Sequence, residues 1–393
     1  MTALPSLADA PWLKAASLQR VMAAIAGAGG EARVAGGAVR NALLGEEVTE
    51  VDVATTLSPE QVTEACVKAG MSVHPTGIEH GTVTVVADHH PYEVTTLRHD
   101  VETDGRRAKV KFTDDWQADA MRRDFTINAL YCDAAGRIFD FVNGHADVLA
   151  RRVRFVGDPH ARIAEDYLRI LRFFRFHARY GHGAPDEAGL SACVQHASGL
   201  DVLSAERIRQ EMFKLMAARG AVETLKLMAD RGILRHILPH TEEWRVVERL
   251  PPDPVLRLAV LAKDPVAMKE RWRLSNHEGK RLEAIVSLLP PSPMLREREQ
   301  RIILYQIGPE AWRDLVHIAW ARCDSSPSDE GWKGLLALPE RWEIPSLPVS
   351  GRDLLAAGMS PGPEIGVLLR KLEDWWVASD FTPGREELLQ RIR

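Results

Sequence analysis

The sequence predicts an α+β protein, in which an α/β segment at the N-terminus is followed by a remainder that is helical nearly to the end. Three observations support this prediction. In residues 1–100, short apolar runs with a period of two residues alternate with helical stretches. From Asp158 onward, the apolar residues recur with helical spacing instead. The 393 residues, 45% of them apolar and 27% charged, suffice for two or three domains with sizeable cores.

The N-terminal segment is predicted to alternate helices with strands. Helical periodicity marks residues 13–25, and a short apolar run over residues 32–35 predicts a strand that leads into Gly36 and Gly37. Residues 50–55 alternate polar and apolar side chains, which predicts a second strand. The remaining elements are a short helix over residues 39–44, a helix over residues 59–69 opened by a capping box of Ser58 and Gln61, and strands over residues 81–86 and 92–97.

Residues 100–116 lack apolar periodicity, and we interpret them as a mobile loop. The helical remainder begins at Asp158, a favourable N-cap that precedes Pro159 at the first helical position. Stretches rich in proline or glycine divide this remainder at residues 181–185, 250–254, 289–293 and 344–348.

The charge of the whole chain does not indicate a nucleic-acid-binding protein. Lysine and arginine number 50 against 55 acidic residues, so any such site must be a local patch. Residues 103–180 offer one, because they contain 15 lysines and arginines and 11 acidic residues. A local excess of positive charge suits RNA, which binds with release of counterions from its phosphates.

Cysteine usage and hydropathy predict a cytoplasmic protein. The four cysteines lie far apart without a C-x-x-C pair, which argues against a zinc ribbon or a disulfide framework and favours a reducing compartment. The N-terminus lacks the basic and apolar regions of a signal peptide. No run of about 18 apolar residues predicts a membrane span.

The first candidate site combines a glycine pair with two carboxylates. Gly36 and Gly37 lie between a predicted strand and a helix, where the backbone can approach a ligand and the helix N-terminus offers N–H groups to an anion. Arg40, in the first turn of that helix, reaches the same anion. Glu50 and Asp52 are two residues apart on a strand, so both carboxylates project from one face and could share a Mg²⁺ ion.

Glu93, on a later predicted strand, could supply a third carboxylate to this site. Taken singly, the two acidic residues are more typical of a surface strand that carries scattered acids, and the glycine pair with Arg40 is by itself equally weak evidence of a site. Their combination in a strand–glycine–helix–strand arrangement is far more specific.

The second candidate motif is the pair Arg122 and Arg123, which precedes an apolar segment. Paired arginines can hold phosphate oxygens through bidentate hydrogen bonds. The alternative is a solvated helix start, in which Asp124 pairs with one of the two arginines.

The third candidate motif lies on the helix predicted to begin at Asp158, which carries Asp166, Arg169, Arg172 and Arg175. Apolar residues on several sides of this helix predict that it is buried, and arginines on a buried helix need anionic or polar partners. The alternative is an intrahelical ion pair with a solvated stripe of arginines. Asp166 and Arg169 are three residues apart and would be neighbours on one face.

Asp166 and Arg169 together could read a nucleotide base. A carboxylate only accepts hydrogen bonds, and a guanidinium only donates them. Cytosine and adenine each present an amino donor beside a ring acceptor, whereas uracil and guanine place a carbonyl where the amino group would be. Such a pair would therefore accept CTP and ATP and reject UTP and GTP without a template strand.

Together these segments resemble the tRNA nucleotidyltransferase and bacterial poly(A) polymerase family, within the DNA polymerase beta-like nucleotidyltransferases. The matching stretches are Gly36–Gly37–Ala38–Val39–Arg40, Glu50–Val51–Asp52, His80–Gly81–Thr82, the run of residues 122–130, Glu165–Asp166–Tyr167–Leu168–Arg169, residues 206–211 and, more loosely, residues 350–366. Several motifs in the family's order make a chance match unlikely.

The resemblance implies a fold of four parts. Residues 1–145 would form a catalytic nucleotidyltransferase head, an α/β domain with a mixed sheet. An all-α remainder would comprise a neck that selects the nucleotide over residues 146–220, a body over residues 221–340, and a tail that binds tRNA over residues 341–393.

The resemblance also implies an activity, the Mg²⁺-dependent addition of CCA to the 3′ end of tRNA from CTP and ATP, with release of pyrophosphate. Glu50 and Asp52 would hold the metal ion and, with Glu93, form the catalytic set. Asp166 and Arg169 would read the base. The residues expected to position the nucleotide and its phosphates are Gly36, Gly37, Arg40, Arg123, Arg172 and Arg175.

Two alternatives remain open at the level of the sequence. The same motifs suit a poly(A) polymerase or an enzyme that adds only CC or only A. Glu50 stands where the family has the first aspartate of its D-x-D motif, and this departure would also fit an RNA-binding protein that kept the fold and lost catalysis.

Overall fold

The computed structural model describes residues 4–104 and 107–391, with side chains described outside residues 100–110. The chain divides into two compact units, Met1–Pro239 and His240–Arg393. The four-part division into head, neck, body and tail remains a prediction. No helix among the described residues combines the length and the apolar character needed to cross a membrane.

The first unit contains a mixed sheet of seven strands in the order β3-β4-β5-β2-β1-β8-β9, and a separate pair, β6 and β7. The strands are β1 (Ala32–Ala35), β2 (Asp52–Thr55), β3 (Ser72–Gly77), β4 (Thr82–Ala87), β5 (His90–Thr96), β6 (Arg98–Asp104), β7 (Arg107–Phe112), β8 (Leu130–Cys132) and β9 (Ile138–Asp140). The strands β2 and β5 run parallel, and the other pairs are antiparallel. This sheet confirms the predicted α+β class.

The helices of the first unit include some that pack against this sheet and others that follow it along the chain. They are α1 (Ala16–Gly27), α2 (Gly37–Leu44), α3 (Pro59–Lys68), α4 (Trp116–Met121), α5 (Gly144–Leu149), α6 (Pro159–Glu165), α7 (Leu168–Tyr180), α8 (Glu187–Gln195), α9 (Ala205–Met216) and α10 (Ala221–Asp230). The predicted capping box opens α3, where Ser58 and Gln61 exchange hydrogen bonds with each other's backbone N–H.

One face of the sheet is buried, and the other carries the predicted site. Val53 on β2 pairs with Val94 on β5, and both are buried on the same face. On that face, the Tyr92 hydroxyl hydrogen-bonds Ser17 of α1 at 2.7 Å. Because side chains alternate along a strand, Asp52 and Glu93, each one residue earlier, project from the opposite face.

Three sequence expectations about local structure are wrong in detail. The second strand begins at Asp52, so Glu50 lies in the preceding loop. Residues 98–104 and 107–112 form the paired antiparallel strands β6 and β7, because backbone pairing does not require apolar periodicity. Residues 105 and 106 of the expected loop lie outside the described residues. The helix from Asp158 is broken at Asp166, which adopts φ −160° and ψ 107° and separates α6 from α7.

The regular elements of the second unit, among its described residues, are helices connected by loops. Its helices are α11 (Trp244–Arg249), α12 (Pro254–Leu261), α13 (Pro265–Arg271), α14 (Asn276–Ser287), α15 (Glu297–Arg322), α16 (Glu330–Arg341), α17 (Gly351–Ala356), α18 (Pro363–Ala378) and α19 (Arg385–Gln390). Gly308, with a left-handed φ of 78°, kinks α15 just before Pro309. Trp312 and Trp376 anchor two separate apolar clusters in this unit.

A charge cluster inside the second unit provides a test of its packing. Arg281 donates to Asp314 Oδ2 at 2.5 Å and lies 2.8 Å from Asp253 Oδ2. Asp314 is only 3% exposed, and burial raises the pKa of its carboxyl while Arg281 opposes this rise. Arg281 is therefore the cation that compensates the buried carboxylate of Asp314, and it also pairs with the partly exposed Asp253.

We expect Arg281→Met to lower the free energy of unfolding of this unit by about 3–5 kcal/mol, because it leaves a buried carboxylate uncompensated. Urea unfolding monitored by tryptophan fluorescence measures the change. The matched control is Arg296→Met, which removes an exposed pair with Glu299 and should cost less than about 1 kcal/mol. Equal losses in the two variants would contradict the prediction.

Candidate active site

The two parallel strands bring Asp52 and Glu93 side by side. Asp52 is the first residue of β2 and Glu93 lies in the middle of β5, each one position before the paired residues Val53 and Val94 and on the open face of the sheet. They line a cavity of about 510 Å³ together with Glu50 and with Thr84 of β4. The three predicted carboxylates therefore share one cavity, although Glu50 reaches it from a loop and not from the strand.

The charges in this cavity perturb Asp52. Loss of hydration raises the pKa of Asp52, and the nearby negative charges of Glu93 and Glu50 raise it further, while Arg123 acts in the opposite direction. Carboxylates that repel one another in this way are relieved by a shared cation. Oxygen ligands of this kind suit Mg²⁺, which is typically held by one or two carboxylates and completes its shell with water and substrate phosphates.

The residues present therefore fit a divalent cation, but not a preformed protein cage. Within residues 4–104 and 107–391, no group of three His, Cys, Asp or Glu side chains is arranged to hold a metal ion by itself. Asp52 with Glu50 or Glu93 would supply part of the shell. A triphosphate and water would supply the remaining oxygen ligands.

The two glycines of the pair have different surroundings, and Gly36 packs against Arg123. Gly36 has a left-handed φ of 67°, and a Cβ atom there would lie 3.1 Å from the carbonyl oxygen of Asn128 and 3.3 Å from Nη1 of Arg123. Only glycine satisfies both the backbone conformation and this close approach. At Gly37, the nearest atom to an added Cβ would be Nη2 of Arg40, at 3.7 Å, so there is space beside Gly37.

Arg123 is held in place by a buried carboxylate that sequence reasoning did not single out. Asp119, which is 1% exposed, accepts hydrogen bonds from Arg123 at 3.1 Å and from the Tyr131 hydroxyl at 2.7 Å, and it also pairs with Arg122. Burial opposes ionisation of Asp119, but Arg123 and Arg122 outweigh it and hold the pKa below its usual value. Asp119 precedes the two arginines by three and four residues, a spacing that could have revealed the pairing.

Arg40 occupies a different position from the other predicted phosphate ligands. It is buried, donates to the Tyr180 hydroxyl at 2.7 Å, and also hydrogen-bonds the side chain of Asn128. Its guanidinium lies 3.9 Å from the centre of the Tyr180 ring. Arg40 thus connects α2 to the end of α7, and its expected role at a phosphate remains a prediction.

Two further predicted arginines lie on α7 and are paired with buried acids. Arg172 donates to Asp124 Oδ2 at 2.9 Å and lies 3.7 Å from Glu211 of α9. Arg175 donates to Glu211 Oε2 at 2.5 Å. Burial alone would favour neutral Asp124, but Arg172 holds the pKa of that carboxyl below its usual value.

The predicted base-reading residues do not pair with each other. Asp166 lies between α6 and α7, where its Oδ1 accepts the backbone N–H of Leu168 at 3.1 Å and its Oδ2 accepts a hydrogen bond from Arg207 at 2.6 Å. Arg169 instead donates to the carbonyl oxygen of Arg162 at 2.6 Å and pairs with Glu165. Each group is thus oriented by a separate partner.

The two halves of the predicted site meet at the backbone of the paired arginines. Arg162 of α6 donates to the carbonyl oxygen of Arg123 at 3.0 Å and also contacts the carbonyl of Arg122. The metal-binding candidates and the base-reading candidates therefore belong to one compact unit and are linked through Arg123. The functional assignment of each of these residues remains a prediction.

Comparison with known proteins identifies the family of the chain. A family model described as the poly A polymerase head domain matches residues 32–154, and one described as a probable RNA and SrmB-binding site of polymerase A matches residues 184–245. The mitochondrial CCA tRNA nucleotidyltransferase 1 of Mus musculus is 38% identical over 384 residues, which cover 92% of this chain and 86% of the mouse protein. The chain belongs to the CCA-adding tRNA nucleotidyltransferase family.

Bacterial members of the CCA-adding family are similar over nearly the whole chain. The CCA-adding enzyme of Latilactobacillus sakei is 31% identical over 392 residues, which cover 95% of this chain and 96% of that enzyme. A crystal structure of the Bacillus stearothermophilus CCA-adding enzyme in complex with CTP superimposes with a TM-score of 0.77 at 28% identity, covering 93% of both chains. These matches confirm the predicted family and fold.

The buried carboxylate of Asp119 generates a prediction about stability. We expect Asp119→Asn to lower the free energy of unfolding at neutral pH by about 3 kcal/mol or more, because two part-buried arginines lose their counter-ion. The pKa of Asp119 is lower in the folded state than in the unfolded chain, so its stabilising contribution is complete above about pH 4 and is lost as the pH falls through the lowered value.

Thermal unfolding between pH 2 and pH 8 measures this effect. The difference between wild type and Asp119→Asn should shrink toward the acid end of the range. Asp114→Asn, at an exposed position of the same segment, is the matched control and should follow the wild type throughout. A difference that is constant across the pH range would show that the charge of Asp119 is not its source.

Proposed function

We propose that this protein adds CCA to the 3′ end of tRNA without a template, using CTP and ATP and releasing pyrophosphate. One observation carries the proposal: Asp52 and Glu93 share a cavity that lies within electrostatic range of Arg123, and Arg123 is joined through Arg162 to the segment that holds Asp166. The activity named for the similar mouse and Latilactobacillus sakei enzymes supports it.

We assign the metal site to Asp52, with Glu50 and Glu93 as the second and third carboxylates. A Mg²⁺ ion bound there would supply Lewis-acid chemistry, neutralising triphosphate charge and lowering the pKa of the attacking 3′-hydroxyl. Enzymes of this superfamily generally use divalent metals. Glu93 would complete the metal site or accept the proton of the hydroxyl, and Glu50, one methylene longer than aspartate, lines the cavity from the loop.

The phosphate-binding role belongs to Arg123, Arg172 and Arg175. Each guanidinium is held by a carboxylate of the protein, so its direction is set before a nucleotide arrives. Prepositioned donors stabilise developing charge without paying for reorganisation during the reaction. Gly36 and Gly37 let the backbone of α2 approach the triphosphate, and Arg40 holds α2 against α7 through Tyr180.

Base selection belongs to Asp166 and Arg169. A carboxylate acceptor and a guanidinium donor match the amino group and ring acceptor of cytosine and adenine. They oppose the carbonyl that uracil and guanine place at the amino position. This explains how one protein surface could accept CTP and ATP in succession.

We further propose a cytoplasmic location. All four cysteines are unpaired thiols, as expected in a reducing compartment. The similar animal enzymes are named as mitochondrial, so subcellular fractionation of the native host is the appropriate test.

The decisive experiment incubates the protein with tRNA lacking its 3′ terminus, with each NTP separately and in mixture, and sequences the products. Ordered addition of C, C and A supports the proposal. Unlimited addition of A would instead indicate a poly(A) polymerase, and addition that stops after CC or is restricted to A would indicate a partial nucleotidyltransferase.

We expect Asp52→Ala to reduce incorporation of labelled CTP by about 10³-fold or more, because the carboxylate that holds the metal ion is removed from the reacting centre. The secondary structure and melting temperature should be unchanged, since Asp52 lies on the open face of the sheet. Glu64→Ala, at an exposed position of α3, is the matched control. Wild-type turnover by Asp52→Ala would contradict the assignment.

A further inference from the structure

Asp166 is held by a residue from a different helix. Its Oδ2 atom accepts a hydrogen bond of 2.6 Å from Arg207 of α9, which lies 41 residues further along the chain. Its Oδ1 atom accepts the backbone N–H of Leu168. The two contacts take one lone pair on each oxygen, so the plane and direction of the carboxylate are defined while lone pairs remain for another donor.

The helix that carries Arg207, α9, is packed against the rest of the first unit. Ile208, Met212 and Leu215 are buried on α9, which packs against α7. Arg207 and Glu211 are four residues apart and therefore lie on the same face of α9. Glu211 pairs with Arg175 and Arg207 pairs with Asp166, so one helix face orients a phosphate-binding candidate and the base-reading carboxylate together.

Other cations are near enough to compete for Asp166. Arg172 interacts electrostatically with the carboxylate of Asp166, and Arg169 lies three residues after Asp166, about one helical turn away. If Asp166 paired with Arg169, the two side chains would be directed toward each other instead of toward a base. In the structure Arg207 supplies the counter-charge of Asp166 from α9, and Arg169 pairs with Glu165 instead.

We propose that Arg207 is a specificity-determining residue that positions Asp166 to accept the amino group of cytosine or adenine. Arg207 acts through Asp166 and does not itself touch the reacting atoms. A carboxylate fixed in direction accepts a hydrogen bond from the amino group of CTP and repels the carbonyl oxygen of UTP. A carboxylate that is free to rotate makes a weaker hydrogen bond and can turn away from the carbonyl, so the loss of Arg207 reduces discrimination between the two nucleotides.

The test compares kcat/KM for CTP and for UTP on tRNA lacking its 3′ terminus, with the full-length protein. We expect Arg207→Ala to lower the CTP-to-UTP ratio by about tenfold or more, the size of effect that loss of one charge-assisted hydrogen bond produces. The loss should appear mainly as a higher KM for CTP. Arg207→Lys keeps the charge and should restore a large part of the ratio.

Two further variants separate positioning from a merely structural role. In the Asp166→Ala background, Arg207→Ala should leave the ratio unchanged, because a residue that acts through Asp166 has nothing left to orient. Gln210→Ala, at an exposed position one turn along α9, is the matched control and should behave as the wild type. If Arg207→Ala does not fold, Arg207→Gln, which retains much of the side-chain volume, replaces it.

The inference rests on the proposed function, and the outcomes distinguish the two. A wild type that shows no preference for CTP over UTP would overturn the proposed function together with this inference. A selective wild type in which Arg207→Ala lowers both kcat/KM values equally would overturn the inference alone. The same holds if the effects of Arg207→Ala and Asp166→Ala on the ratio multiply.

Discussion

The candidate site depends on the pairing of arginines with acids that are withdrawn from water. Arg123 pairs with Asp119, Arg172 with Asp124, and Arg175 with Glu211. An ion that is removed from water is tolerated in a protein interior only with a partner of opposite charge and good hydrogen-bond geometry. Each pair therefore defines where an element must lie, and together they hold α4, α7 and α9 in register around one site.

This pairing has a consequence for chemistry. An arginine whose direction is already set by a carboxylate can meet a triphosphate without losing further conformational freedom. The carboxylate cavity has the opposite character, because Asp52, Glu93 and Glu50 bring negative charges together, and Arg123 opposes them at Asp52. Donors for phosphate on one side and acceptors for a cation on the other suit a nucleotide triphosphate and its metal ion.

Much of the head could be predicted from local patterns. The capping box of Ser58 and Gln61, and the strands around residues 82–87 and 90–96, follow from short-range chemistry, and the structure places them within a few residues of the prediction. The paired strands β6 and β7 could not be found in this way, since they pair through the backbone and carry no apolar alternation. The break at Asp166 was also hidden, because the apolar residues before and after it continue a helical pattern.

The sequence by itself determined the family motifs, the identity of the acidic and basic candidates and the alternation of elements that carries them, because each depends on residues close together in the chain. Only the tertiary structure decided their partners. The pairing of Asp166 with Arg207, of Arg40 with Tyr180 and of Val53 on β2 with Val94 on β5 joins residues 41, 140 and 41 positions apart. Such contacts are set by how helices and strands pack, and no spacing within the chain encodes them.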